Sequence, residues 1–307
     1  MERLRAVAVG LAAACIPLAC GCAARVDADD AYDTVRITGS DTMVNLAQAW
    51  AEAFNKDHPA VSIPVKGGGS GVGIADLCEG KIEIATASRA MEPDEIALAT
   101  SKTGKVPKQF VVGQDALAIY VNKQNPLDSI SLGELAEIYG DGGTIARWEE
   151  LGVDNAACPS GKIVRISRQN SSGTYAYFKE AVLGSKRDYK QGYTAQSGSS
   201  DLVALVSKTP CAIGYSGMGY RNDTVKVLNV AKAKGEPGVE PTVAHALDGS
   251  YPISRPLYLY TLGEPSGAVH EFIAWILGAE GQRLVEDQGF IPLSPPAAPS
   301  PAAAAQK

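Results

Sequence analysis

Three times along this chain an extended apolar run ends in a string of small polar residues, and a helical pattern starts at once. The strings are Gly39-Ser40-Asp41-Thr42 after Val35 to Thr38, Gly67-Gly68-Gly69-Ser70-Gly71 after Val61 to Lys66, and Asn170-Ser171-Ser172-Gly173-Thr174 after Ile163 to Ser167. Strands that keep giving way to helices define an α/β fold, and open α/β sheets gather ligands at the carboxyl ends of their strands. At such a junction free backbone N–H groups and the positive end of the helix dipole point outward, Ser and Thr hydroxyls add donors, and Gly lets a ligand approach the backbone. Ser, Thr and Asp are also ordinary helix caps, so one such loop is a modest signal for an anion. Three together are a stronger one.

The surrounding pattern supports this reading. Val35-Arg36-Ile37 and Val61, Ile63 and Val65 alternate as strands, and between them Met43, Ala47, Trp50 and Phe54 recur at helical spacing, which makes a βαβ unit. Further strands are expected at Ile82 to Ala87, Phe110 to Val121, Ile163 to Ser167, Ala212 to Tyr215, Val225 to Val230 and Leu257 to Leu262, with a helix from Leu132 to Tyr139 behind a capping box of Ser131 and Glu134. The rhythm predicts mostly parallel sheets flanked by helices. Phe110 to Val121 and Ser254 to Leu262 are long enough to cross between two lobes. That divides the chain into 33–114 with 255–293 as one lobe and 115–254 as the other.

The ends differ from this body. Arg3 and Arg5 precede the Ala-rich apolar run Ala6 to Ala19, the composition of an export signal too short for a lasting membrane span. The run ends in Leu18-Ala19-Cys20-Gly21-Cys22, which resembles the lipobox of bacterial lipoproteins; Cys22 is the preferred lipidation site and Cys20 the alternative. Residues 1–21 then form the signal, 22–32 an acidic tether, and 294–307 a Pro/Ala tail that cannot bury a core. The expected location is outside the cytoplasm, anchored by lipid. Disulfides persist there. Cys158 precedes Ile163 to Ile166 and Cys211 precedes Ala212 to Tyr215, so neighbouring parallel strands would bring both to one sheet edge; a Cys158–Cys211 disulfide is expected, with Cys78 a buried free thiol.

Charge and composition exclude several function classes. A formal net charge of −6, from 28 Lys+Arg against 34 Asp+Glu, argues against nucleic acid or an anionic membrane surface as the main partner. Three scattered His and the Cys spacing give no metal site. No cofactor motif stands out: the Gly-rich loop lacks the Gly-Lys-Ser/Thr ending of a P-loop, and no Ser lies in a nucleophile motif. Two Arg flank the polar loops, Arg168 four residues before Ser172 and Arg89 directly after Ser88. Guanidinium forks match tetrahedral oxyanions, although each Arg would serve equally in an ordinary salt bridge.

Ile-Thr-Gly-Ser-Asp-Thr-Met (37–43), Gly-Gly-Gly-Ser-Gly-Val-Gly (67–73), Ala-Ser-Arg (87–89), Arg168 with Ser-Ser-Gly-Thr (171–174), Ala-Ile-Gly-Tyr (212–215) and Ser-Arg-Pro-Leu-Tyr (254–258) together resemble the phosphate-binding lipoprotein of the bacterial high-affinity phosphate ABC importer. The resemblance runs from about Val35 to Leu293. It implies a two-lobed periplasmic-binding-protein fold that closes on one dehydrated phosphate, acts as a monomer without cofactor, and docks on membrane permease subunits. Carried over by position, Ser40, Asp41, Thr42, Ser70 and Gly71 would bind from one lobe and Arg168, Ser172, Gly173 and Thr174 from the other. The best-known members carry a carboxylate where this chain has Ser88-Arg89. Asp41 or Asp115 would replace that acceptor, Asp115 alternatively orienting Arg89. The departure at Ser88 also leaves sulfate, molybdate or tungstate open as ligands, and an exported phosphoester hydrolase is the rival from another class.

Overall fold

The computed structural model describes residues 33–184 and 186–293. The expected signal, Cys22, tether and tail lie outside them. The first stretch runs β1 (Asp33–Thr34), β2 (Ile37–Gly39), α1 (Val44–Asp57), β3 (Val61–Ser62), β4 (Val65–Lys66), α2 (Ser70–Cys78), β5 (Ile84–Ala87) and α3 (Pro93–Thr103). A long strand, β6 (Pro107–Asn122), leads to β7 (Ser129–Ser131), α4 (Leu132–Tyr139), β8 (Val164–Arg168), α5 (Gly173–Phe178), β9 (Thr194–Gln196), α6 (Ser199–Lys208), β10 (Ala212–Gly217), β11 (Val225–Ala231) and α7 (Val243–Leu247). The chain returns through β12 (Ser254–Leu262) to α8 (Gly267–Leu277) and α9 (Ala279–Asp287).

The helices form where the sequence pattern places them. On α1 the residues Leu46, Ala47, Trp50, Ala51 and Phe54 are buried on one stripe, and the indole N–H of Trp50 reaches the Gly281 carbonyl at 2.9 Å. At α4 the capping box closes in both directions: the Ser131 hydroxyl accepts from the Glu134 amide at 3.2 Å, and the Glu134 carboxylate accepts from the Ser131 amide at 3.0 Å.

Eight strands follow the order β4-β2-β5-β12-β6-β10-β8-β9, with β11 and β7 joined through β6. The two lobes share β6. Up to Ala116 it pairs with β12, and from Leu117 onward it pairs with β10 on one side and β11 on the other. Beyond that change of partner Leu117, Ile119 and Val121 join one apolar cluster and Ala118 and Tyr120 another, the period of two that a strand covered on both faces requires. Two further clusters, around Trp50 and Phe272 and around Ile74 and Leu77, lie on the other side of the change.

The sheet is more mixed than the rhythm of the sequence predicts. The βα-wound pairs β2–β4, β2–β5, β8–β10 and β8–β9 are parallel, whereas every ladder of β6 and β12 is antiparallel. A strand that leaves a lobe and one that returns to it must run in opposite directions, and hydrophobic period does not report direction. Cys158 and Cys211 are joined by a disulfide with Cα atoms 4.9 Å apart, beside the parallel pairing of Val164 with Ala212. Cys78 is buried and unbonded.

Candidate functional site: a cleft of hydroxyls and guanidinium groups

The three polar loops meet where β6 changes partners. In the first, the Ser40 amide donates to the Thr86 carbonyl at 2.9 Å, and the Ser40 hydroxyl donates to the Ser88 hydroxyl at 3.1 Å. The Ser88 amide donates in turn to Ser70 Oγ at 3.0 Å, at the start of α2. Ser40, Thr42, Ser70, Ser88, Ser172 and Thr174 are all buried. The second lobe reaches into this group: Thr174 Oγ1 lies 2.7 Å from Thr42 Oγ1, and a Cβ on Gly173 would fall 2.4 Å from Ser70 Oγ and 2.6 Å from Ser88 Oγ. Only a residue without a side chain lets the lobes approach this closely.

Arg168 is fully buried at the end of β8 and anchored by its own lobe. It donates to the Gln196 carbonyl at 3.3 Å, the Ser197 carbonyl at 2.6 Å and the Ser199 hydroxyl at 2.8 Å. Across the cleft its Nη2 meets Asp41 Oδ2 at 3.0 Å. Burial works against the charge of Arg168, and the Asp41 carboxylate restores part of it. Asp41 does not cap α1, which has no side-chain cap; its other oxygen accepts from the Gly68 amide at 2.8 Å and fastens the first loop to the second.

Several expected residues sit differently. Gly71 does not offer its amide to a ligand, because that N–H donates to the Ser171 carbonyl of the other lobe at 2.9 Å. The Ser172 hydroxyl accepts from the Thr174 amide at 3.2 Å and caps α5. Arg89 is outside the hydroxyl group: both its terminal nitrogens bind the Glu95 carboxylate, at 2.7 and 2.6 Å, and Nη1 also donates to the Ala90 carbonyl. Burial alone would push the Glu95 carboxyl up, but Arg89 and the Glu92 amide bring it below its ordinary value. Asp115 orients Arg255 and not Arg89.

Arg255 is the residue that motif reading passed over. It faces Asp115 directly in the β12–β6 register, one step from the change of partner. Its Nη2 and Nε bind Asp115 Oδ2 at 2.8 and 3.2 Å, Nη1 donates to the Ser88 carbonyl at 3.1 Å, and Nη2 also reaches Thr174 Oγ1 at 2.9 Å and Thr42 Oγ1 at 3.4 Å. Asp115 Oδ1 accepts from the Met218 amide at 3.2 Å, and a Cβ on Gly217 would lie 2.9 Å from either Asp115 oxygen. Burial pushes the Asp115 carboxyl up, and the Arg255 charge opposes that push. The available signal was a single acidic residue in one long strand and a single basic residue in the other, Asp115 directly ahead of the apolar run Ala116 to Val121.

A two-lobed α/β molecule with anion-adapted loops from both lobes at a shared crossing point defines a periplasmic-binding-protein type of substrate-binding protein, and residues 26–280 match the PBP superfamily domain. The chain is 35% identical over 267 residues to the phosphate-binding protein PstS of Pseudomonas aeruginosa, covering 83% of this chain and 81% of that one. It is 32% identical over 271 residues to PstS of Bacillus subtilis, covering 87% and 83%. A Clostridium perfringens substrate-binding protein crystallised with bound phosphate superposes with a TM-score of 0.75 at 31% identity, over 85% of this chain and all of that one. The chain belongs to the PstS family of phosphate-binding proteins.

Proposed function

We propose that this protein captures inorganic phosphate between its lobes outside the cytoplasm and delivers it to the membrane permease subunits of an ABC importer. The lobes are residues 33–114 with 255–293, and 115–254. The ligand-binding set is Ser40, Asp41, Thr42, Ser70 and Ser88 from the first lobe and Arg168, Ser172, Gly173 and Thr174 from the second. The observation that carries this reading is the contact of hydroxyls across the cleft beside a buried Arg168 that already has three acceptors on its own lobe. Micromolar capture needs about 8 kcal/mol net. Hydrogen bonds that only exchange with water supply this when the donors are fixed in advance, as these are. Asp41 is the acceptor for the proton of hydrogen phosphate, in place of the carboxylate absent at Ser88, and it disfavours fully ionised sulfate. A lipid on Cys22 holds the monomer at the membrane surface.

The test is calorimetric titration of the ligand-stripped protein with phosphate, sulfate, molybdate and arsenate. Saturation by phosphate with little heat from sulfate is expected. Saturation by another anion with none from phosphate would overturn the reading, and turnover of a chromogenic phosphoester would favour a hydrolase.

A further inference from the structure

Arg255 and Asp115 stand opposite each other on the two strands that join the lobes, with 2% and 0% of their surfaces exposed. As a pair they add no net charge to the cleft, and unlike Arg168 with Asp41 they are bound face to face in one strand ladder. What Arg255 contributes follows from hydrogen-bond polarity. A guanidinium only donates, whereas a threonine hydroxyl has one proton to give and lone pairs to accept with. Arg255 Nη2 reaches Thr174 Oγ1 at 2.9 Å and Thr42 Oγ1 at 3.4 Å, and the two hydroxyls are 2.7 Å apart. With both oxygens accepting from Arg255, one hydroxyl proton is used in the bond between the threonines. The other finds no acceptor within the trio and is directed outward.

We infer that Arg255, held by Asp115, is a positioning residue for anion capture: by occupying lone pairs of Thr42 and Thr174, one from each lobe, it biases their one uncommitted proton toward the ligand. The inference rests on the phosphate reading above and deepens it. The ligand oxygen at this corner accepts that proton, while the proton of hydrogen phosphate is accepted at Asp41. The arrangement exists only with the lobes closed, because Thr42 and Thr174 belong to different lobes while the Arg255–Asp115 pair lies on the strands that connect them.

The experiment is a mutant cycle read by phosphate titration and, for folding, by thermal unfolding. The proteins are the wild type, the paired replacement Arg255→Met with Asp115→Leu, Thr174→Val, and all three changes together. Replacing both ions by apolar residues avoids stranding a buried charge. The paired replacement is expected to weaken phosphate binding about tenfold, the worth of one hydrogen bond to a charged group. In the Thr174→Val background the same replacement should cost less than about twofold, since the hydroxyl it acts through is gone. Equal losses in both backgrounds would make the pair merely structural and overturn the inference, as would no loss in either. Arg255→Lys is the second variant should the paired replacement not fold; it keeps the charge but loses the fork, and the same cycle with Thr174→Val applies to it. Absence of phosphate binding by the wild type would instead overturn the phosphate reading and this inference with it. Binding by the wild type with an unaltered cycle would remove this inference alone.

Discussion

Two arginine–aspartate pairs are buried within the same cleft, and they differ in the elements that hold them. Arg168 and Asp41 come from different lobes, and Asp41 keeps 14% of its side chain exposed. Arg255 and Asp115 face each other on the connecting strands and are sealed from solvent. When the lobes part, the first pair separates into groups that stay satisfied: Arg168 keeps three acceptors on its own lobe, and Asp41 keeps the Gly68 amide. The second pair has no such freedom. One pair therefore belongs to the closed state and the other to the fold, and only the arginine of the first stands beside a polar loop in the sequence.

The strongest way to break this contrast is to remove Arg168. Arg168→Met is expected to weaken phosphate binding by at least about 100-fold, as loss of a charge-assisted, preorganised donor implies; a calorimetric loss under tenfold would mean that Arg168 is not the principal anchor. For the other pair the large effect falls on stability. Arg255→Met alone leaves Asp115 buried without a counterion and should lower the unfolding free energy in urea by about 3–5 kcal/mol, whereas adding Asp115→Leu should recover most of it. Failure of the second change to rescue the first would show that the pair is not self-contained.

Smaller effects sharpen the contrast. Asp41→Asn keeps an oxygen for the Gly68 amide but removes the carboxylate facing buried Arg168, so it should lower stability by about 1–3 kcal/mol. It should also reduce the preference for phosphate over sulfate about tenfold, measured as the ratio of the two dissociation constants, if Asp41 accepts the ligand proton. Arg89→Met should leave phosphate affinity within about twofold. Its effect lies in acid. A depressed Glu95 carboxyl contributes stability that is complete above the ordinary value of 4.5 and is lost as pH falls through the lowered one. Urea midpoints of the variant should therefore fall less steeply than those of the wild type as pH drops below 4.5.

Much of this arrangement is legible in the linear chain because local chemistry determines it. Strand period, the spacing of Ala47, Trp50 and Phe54, and the capping box at Ser131 all act within a few residues. So do the polar loops, whose positions at strand ends hold in the structure. What could not be read depends on register between distant strands. That Arg255 meets Asp115 is decided by the pairing of β12 with β6, and that Gly71 gives its amide to Ser171 is decided by the approach of one lobe to the other. Arg89 is a third kind of case. Its sequence neighbourhood suited an anion site, but Glu95, one turn into α3, was the nearer carboxylate.

The position of β12 carries a consequence for how the molecule is assembled. β12 lies between β5 and β6, and the indole of Trp50 is satisfied by a carbonyl 231 residues later. A ribosome releases the first strands and α1 long before their central neighbour exists, while the stretch from β7 to α7 emerges without interruption. The first lobe cannot complete its core around Trp50 and Phe54 without β12, α8 and α9, and contacts of that sequence separation are the slow ones to form. The part of the protein synthesised first is the part whose core depends on the chain's last elements.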